Sequence, residues 1–228
     1  MGSYSLSTGT SVFSLMNISP IFCVNIGVFD VPEILPLARK IFSDNQHILK
    51  VSQRIRSNFY LQNTNKYLIN EDYKYPEDVE KFKQIILEHG LSYLKHEVID
   101  YYMDDYIYEV RNLWLNEMSA GNFQTVHRHP GYVLSGCYYV DIPDDCSPIE
   151  FHSPYPNFLP DYFNNPNRNY SPFNSSFWKM HPTEGQMLFW FSELQHSVPA
   201  LNSGIRRSIP FDITVKDIKD YRKKEYFQ

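Results

Sequence analysis

The period of the apolar pattern changes once along this chain, and that change limits the folds open to it. Between Pro76 and Val98, apolar residues return every three to four positions. Val79, Phe82 and Ile86 form one stripe, and Leu87, Leu91, Leu94 and Val98 form its neighbour. Pro76, Glu77 and Asp78 open this helix with a fixed φ and with negative charge at the positive end of the dipole. Gly90 would interrupt it or split it in two. From about residue 106 the period becomes two, and Tyr106–Trp114, Phe123–Arg128, Val133–Asp141, Ile149–Phe151, Gln186–Phe191 and Arg206–Val215 read as strands. Upstream, Pro20–Phe29 alternates loosely as a strand. Asp30 can cap a helix to about Phe42 that carries Pro32 in its first turn and is limited or bent by Pro36. Helices followed by many short strands predict an α+β chain, the strands closing into a sandwich or barrel with the helices packed outside.

The remaining stretches carry less pattern. Residues 1–20 read as a lead-in or an edge strand, and residues 45–75 are polar. Residues 152–183 form a Pro/Asn/aromatic loop with six prolines, and the charged tail from Lys216 reads as a terminal helix. A loop of that length in a compact domain is usually functional or an insertion. Its Tyr155, Tyr162, Tyr170 and Trp178 are candidates for a substrate lid.

Composition removes several function classes. Hydrophobic residues make up 43% and charged residues 21% of the 228, which excludes a disordered chain. The net charge is −5 and Arg222-Lys223-Lys224 is the one basic run, so no nucleic-acid partner is expected. Three scattered cysteines, Cys23, Cys137 and Cys146, make neither a disulfide framework nor a CxxC site. No basic leader and no 18-residue apolar run is present, so the expectation is a cytoplasmic protein without a membrane partner. Aromatic residues reach 16%, which favours strands and aromatic-lined pockets.

Of the eight histidines, His127 and His129 stand out. They lie at i and i+2 in strand-like sequence, so both imidazoles face one side while Arg128 faces the other. Two imidazoles at a strand end can hold a cation from adjacent corners. Further on come His196, followed by Ser197-Val198-Pro199, and then Arg206-Arg207-Ser208-Ile209-Pro210-Phe211-Asp212. Arg206 and Ser208 again share a face. A guanidinium fork with a hydroxyl two residues on is a good receiver for a carboxylate.

Taken in order, Trp114-Leu115-Asn116, Gly121-x-x-Gln124-x-x-His127-x-His129-Pro130, Leu134-Ser135-Gly136-x-Tyr138-Tyr139-Val140, His196 with Pro199, and Arg206-x-Ser208-Ile209-x-Phe211 resemble the 2-oxoglutarate/Fe(II) oxygenases of the prolyl-4-hydroxylase-like superfamily, in the group with an HxHP motif. The resemblance covers about residues 110–213. It implies a double-stranded β-helix, a jelly-roll barrel, with Fe(II) in its mouth and 2-oxoglutarate as cosubstrate. Carried over, His127 and His196 are metal ligands and His129 stands at the position of the usual carboxylate ligand. A three-histidine set brings one negative charge less. Asp141 and Glu150 are the nearest acidic residues, and neither has a ligand's spacing.

The same resemblance implies that Arg206 and Ser208 grip the distal carboxylate of 2-oxoglutarate. Tyr139 joins them, Ser135 supplies a small hydroxyl, and Gln124 reaches the metal-side carboxylate or the substrate. Phe151, Phe189, Trp190 and Phe191 are candidates for the pocket walls. The implied activity is a dioxygenase that hydroxylates a peptide side chain or a small molecule with release of succinate and CO2. Two other readings are an inactive jelly-roll binding module and a cupin-like metal protein that does not use 2-oxoglutarate. The chain is expected to be a single oxygenase domain over 1–228, with a helical part at 1–109, a jelly-roll core at 110–215 and a tail at 216–228. Whether it forms a homodimer stays open.

Overall fold

The computed structural model describes residues 24–45, 76–97, 103–155 and 175–219. The expected lead-in at 1–20, nearly all of the polar stretch 45–75, Tyr162 and Tyr170 of the long loop, and the tail beyond Lys219 lie outside the described residues. In chain order the elements are β1 (Gly27–Asp30), a 3-10 turn (Pro32–Ile34), α1 (Leu35–Asp44), α2 (Pro76–Glu97), a second 3-10 turn (Met103–Asp105) and β2 (Tyr106–Leu113). There follow β3 (Asn116–Ser119), β4 (Gln124–His127), β5 (Leu134–Asp141), β6 (Ile149–His152), β7 (Phe177–Met180), β8 (Gln186–Phe191), β9 (His196–Val198) and β10 (Ile205–Ile218).

The strands form two antiparallel sheets. The larger runs β1-β8-β5-β10-β2 with β3 added on β10, and the smaller runs β4-β9-β6-β7. Together they are the double-stranded β-helix expected from the sequence, with α1 and α2 against the outer face of the larger sheet. Alternation along the strands divides the core in two. Leu134, Tyr138 and Val140 of β5, Met187 and Phe189 of β8, and Ile209, Phe211 and Ile213 of β10 point outward to Phe82 and Ile86 of α2. Cys137, Tyr139, Leu188 and Trp190 point inward to Ile149, Phe151 and Val198 of the smaller sheet. Each such buried apolar side chain contributes about 1.5–3 kcal/mol relative to exposure.

Several local expectations are corrected. The helix expected from Asp30 is divided into a 3-10 turn over Pro32–Ile34 and α1, so Pro36 limits the α-helix at its start and does not interrupt it further on. It sits in the first turn of α1, where its missing N–H costs nothing. Gly90 does not split α2, which is continuous from Pro76 to Glu97. A Cβ at Gly90 would lie 2.5 Å from Ile213 Cδ1, so the glycine lets the helix approach the sheet. Lys216 does not open a helix; β10 runs on to Ile218. Phe177 to Met180, expected in the long loop, pairs with β6 as β7. Tyr138 and Tyr139 are both fully buried, because α2 covers the face that a lone strand would leave wet. Tyr138 stacks edge-on against Phe82 and donates its hydroxyl to the Val31 carbonyl at 3.0 Å.

Candidate metal centre and cosubstrate cleft

Strands β4 and β9 bring the three histidines together. His127 closes β4 and lies opposite His196, the first residue of β9. His129 follows beyond the strand end, tied there by its backbone N–H to the Ser192 carbonyl at 2.9 Å. Arg128 between them turns outward to Glu193 at 2.9 Å, as the alternation requires. The ring centroids of His127 and His196 are 4.2 Å apart, and His129 stands 5.2 Å from each. One ligand nitrogen from each ring lies within 4.8 Å of the other two.

The hydrogen bonds behind the rings decide their tautomers. His127 Nδ1 faces the Thr125 carbonyl at 2.8 Å, and His196 Nδ1 faces the Leu194 carbonyl at 3.0 Å. A carbonyl can only accept, so each Nδ1 carries the proton and each Nε2 keeps its lone pair. His129 Nδ1 faces the Asp212 carboxylate at 2.6 Å, so it carries a proton there too. Burial lowers the pKa of His196 to about 3, and the neighbouring His127 adds to the shift. Burial also lowers His127. Neutral imidazoles are what a divalent metal needs.

Beside the imidazoles opens a cleft also lined by Trp114, Tyr139, Trp190, Arg206 and Ser208. Arg206 is 2% exposed. Its guanidinium lies 5.1 Å over the Tyr139 ring, and its Nη1 donates to the Ser147 carbonyl at 3.0 Å. The buried Arg206 Nε, Ser208 Oγ, Tyr139 Oη, Trp114 Nε1, Trp190 Nε1 and Gln124 Oε1 have no protein hydrogen-bond partner. Buried polar atoms are rarely left so, and a cluster of them marks the place of a ligand. Three of the six are N–H donors and two are hydroxyls that can donate, which fits an anion. The cleft therefore fits 2-oxoglutarate, and the three histidines fit a divalent iron. Burial pushes the Cys137 thiol in the same cleft up to about 11 and Tyr139 well above its usual value, so both stay protonated beside Arg206.

The sequence-expected metal and cosubstrate residues thus converge with one exception. Ser135 does not line the cleft. Its hydroxyl lies behind His129, 2.7 Å from Asp212 Oδ1 and 3.0 Å from Ser192 Oγ. Gln124 is at the cleft, with its amide nitrogen 3.4 Å from His127 Nδ1. Of the expected walls, Trp190 and Phe151 reach His196 at 4.9 and 6.3 Å. Phe189 and Phe191 face the opposite way, toward the helices, because odd positions of β8 point outward. Asp141 and Glu150 are engaged elsewhere, Asp141 with Arg39 and Arg207 and Glu150 with Lys179. Asp212 was not among the expected residues. Parity could have found it, since it follows Arg206 and Ser208 at even spacing on β10.

Residues 112–212 match the sequence profile of a family described as "Putative 2OG-Fe(II) oxygenase". The match covers 101 of the 228 residues, less than half of the chain, and marks this stretch as similar to that family. No curated protein matches the sequence. Among solved structures, the fold is similar to a prolyl-4-hydroxylase from Pseudomonas putida, at TM-score 0.52 and 9% identity over 85% of this chain and 94% of that one. It is similar to AviO1 from Streptomyces viridochromogenes, at TM-score 0.54 and 13% identity over 86% and 92%. A third is a Trichoplax adhaerens prolyl hydroxylase held with a hypoxia inducible factor peptide fragment, at TM-score 0.50 and 13% identity over 84% of each chain. The chain spans about half, 48%, of a protein from Burkholderia pseudomallei described as an oxidoreductase of the 2OG-Fe(II) oxygenase family. The family's cofactors are Fe(II) and 2-oxoglutarate. No helix among the described residues is long and apolar enough to cross a membrane.

Proposed function

We propose that the protein is an Fe(II)- and 2-oxoglutarate-dependent dioxygenase that hydroxylates a peptide side chain or a small molecule, releasing succinate and CO2. The observation that carries this reading is the cluster of partnerless donors in a buried cleft beside three convergent imidazoles. His127, His129 and His196 hold the metal through Nε2, each steadied by the acceptor behind its Nδ1. Arg206 and Ser208 receive the distal carboxylate of 2-oxoglutarate, and Tyr139 closes the same end with its protonated hydroxyl. The aromatic walls exclude water and strengthen these charge-assisted bonds. Bound iron supplies the activation of oxygen that no side chain can perform. The protein's part is to hold the ligands, orient the cosubstrate and keep the pocket dry.

The prolyl hydroxylases of similar fold, one of them held with a peptide fragment, support a peptide side chain as one substrate class. The deciding experiment measures 2-oxoglutarate binding by anaerobic calorimetry on iron-loaded protein, then succinate after oxygen is admitted. Binding followed by succinate is the expected result. Iron-loaded protein that binds no 2-oxoglutarate would mean a cupin-like metal protein, and binding without succinate would mean an inactive module. The second of these draws on one specific feature, the imidazole of His129 where a carboxylate ligand would add negative charge.

A further inference from the structure

We propose that Asp212 is a positioning residue that lends the three-histidine site the negative charge its ligands lack, acting through His129. The inference rests on the metal reading above. Its ground is the environment of one buried carboxylate. The Asp212 side chain is 3% exposed and accepts three hydrogen bonds, from His129 Nδ1 at 2.6 Å, Ser135 Oγ at 2.7 Å and Asn112 Nδ2 at 2.8 Å. All three contacts are donors, and all are uncharged when His129 is a neutral ring. Among the described residues, no lysine or arginine forms an ion pair with Asp212. A buried carboxylate without a cation is strongly unfavourable. A divalent ion on the far nitrogen of His129 removes that cost, because the imidazole then stands between two opposite charges.

The three rings are held unequally. His127 and His196 give their Nδ1 protons to backbone carbonyls, at 2.8 and 3.0 Å. His129 alone gives its proton to a carboxylate, and over the shortest distance. A charge-assisted bond of this kind fixes the tautomer and ring orientation and makes the opposite nitrogen a stronger donor to a metal. Three neutral imidazoles leave a divalent ion with its full charge. Asp212 is placed to offset part of it without occupying a coordination position. Ser135 fits the same role from behind: its hydroxyl holds Asp212 Oδ1 in line with the ring.

The test uses the full chain, Co(II) as the metal probe and imidazole NMR of the metal-free protein at pH 8. In the wild type, the His129 Nδ1 proton should resonate downfield of those of His127 and His196. Asp212→Asn should bring it back among them and weaken Co(II) binding by about ten- to a hundredfold, the usual cost of losing a ligand's outer partner. Asn112→Ala keeps the carboxylate and should leave Co(II) affinity within a few-fold. A folded Asp212→Asn protein with wild-type Co(II) affinity would overturn this inference alone. A wild-type protein that binds no Co(II) would overturn the metal reading as well. If Asp212→Asn does not fold, the wild-type spectrum still decides: a His129 Nδ1 proton no further downfield than the other two refutes the proposal.

Discussion

Replacing Arg206 separates a ligand-binding residue from a structural one, because the two roles predict opposite effects on the metal-free protein. Arg206 is 2% exposed; its Nη1 donates to the Ser147 carbonyl and its Nε has no hydrogen-bond partner. Among the described residues no carboxylate forms an ion pair with it. A buried guanidinium without a counter-ion is a burden on the fold, and the second carboxylate of 2-oxoglutarate would relieve it. Arg206→Met keeps the volume and removes the charge. The metal-free variant should therefore melt at the wild-type temperature or above. Its affinity for 2-oxoglutarate should fall about tenfold to a hundredfold, since a charge-assisted bond is worth roughly 1.5–3 kcal/mol and about 1.4 kcal/mol is a decade. Arg206→Lys should keep part of the binding, because the charge survives and the fork does not. Arg207 is the control. It faces the other side of β10 and pairs with Glu117 at 2.8 Å and Asp141 at 3.0 Å. Arg207→Ala should cost about 0–1 kcal/mol of stability and leave 2-oxoglutarate affinity unchanged. Anaerobic calorimetry and thermal melts on the four proteins give both readouts. Arg206→Met with unchanged 2-oxoglutarate affinity and a lowered melting temperature would show that Arg206 is structural and refute the argument.

Iron content measured on single variants should drop in His127→Ala and in His196→Ala, and unchanged iron in either would remove that residue from the ligand set. The metal-free protein should lose stability as pH falls from 6.5 toward 3: the unfolded chain takes up a proton there that buried His196, at about 3, refuses. The slope is about 1.4 kcal/mol per pH unit for one proton; urea unfolding at several pH values should find it flattened in His196→Gln, and an equal slope would contradict the burial argument. Gly136→Ala should destabilise the fold by about 1–3 kcal/mol, because the new Cβ would lie 2.3 Å from the Phe211 ring and 2.5 Å from the Leu188 carbonyl oxygen; chemical denaturation gives the number.

Much of this fold and site is legible in the sequence wherever a pattern runs long enough. α2 and the long strands β2, β5, β8 and β10 fall close to their expected ranges, since each has several turns or alternations to read. The elements that escape are β3, β7 and β9, of three or four residues each. A run so short has no measurable period, and only pairing with β10 or β6 makes it a strand. The errors at Phe189 and Phe191 have another cause. Aromatic character drew them toward the pocket, whereas strand parity puts Trp190 inside and its two neighbours outside. Ser135 illustrates what parity alone cannot give. It shares a face with Tyr139, but position along the strand puts it behind His129 rather than beside Arg206. The Asp212 link spans 83 residues of sequence, so no local motif announces it.

The two faces of β10 explain why the candidate site can be rigid without any element devoted to holding it. Arg206, Ser208 and Asp212 point inward, while Ile209, Phe211 and Ile213 point outward, buried with α2. A slip of one residue in register would move Arg206 out of the cleft and Phe211 out of the core together. The same holds on β5, where Tyr139 faces the cleft and Tyr138 is pinned to Phe82 and the Val31 carbonyl. The free energy that fixes the outer face of these strands therefore also fixes the rotamers and spacing on the inner one. A buried guanidinium without a counter-ion and a buried carboxylate are costly features for a chain to carry. They are tolerated here because the apolar packing of α2 on the opposite face offsets them, and the polar groups stay preorganised for charged ligands rather than for one another.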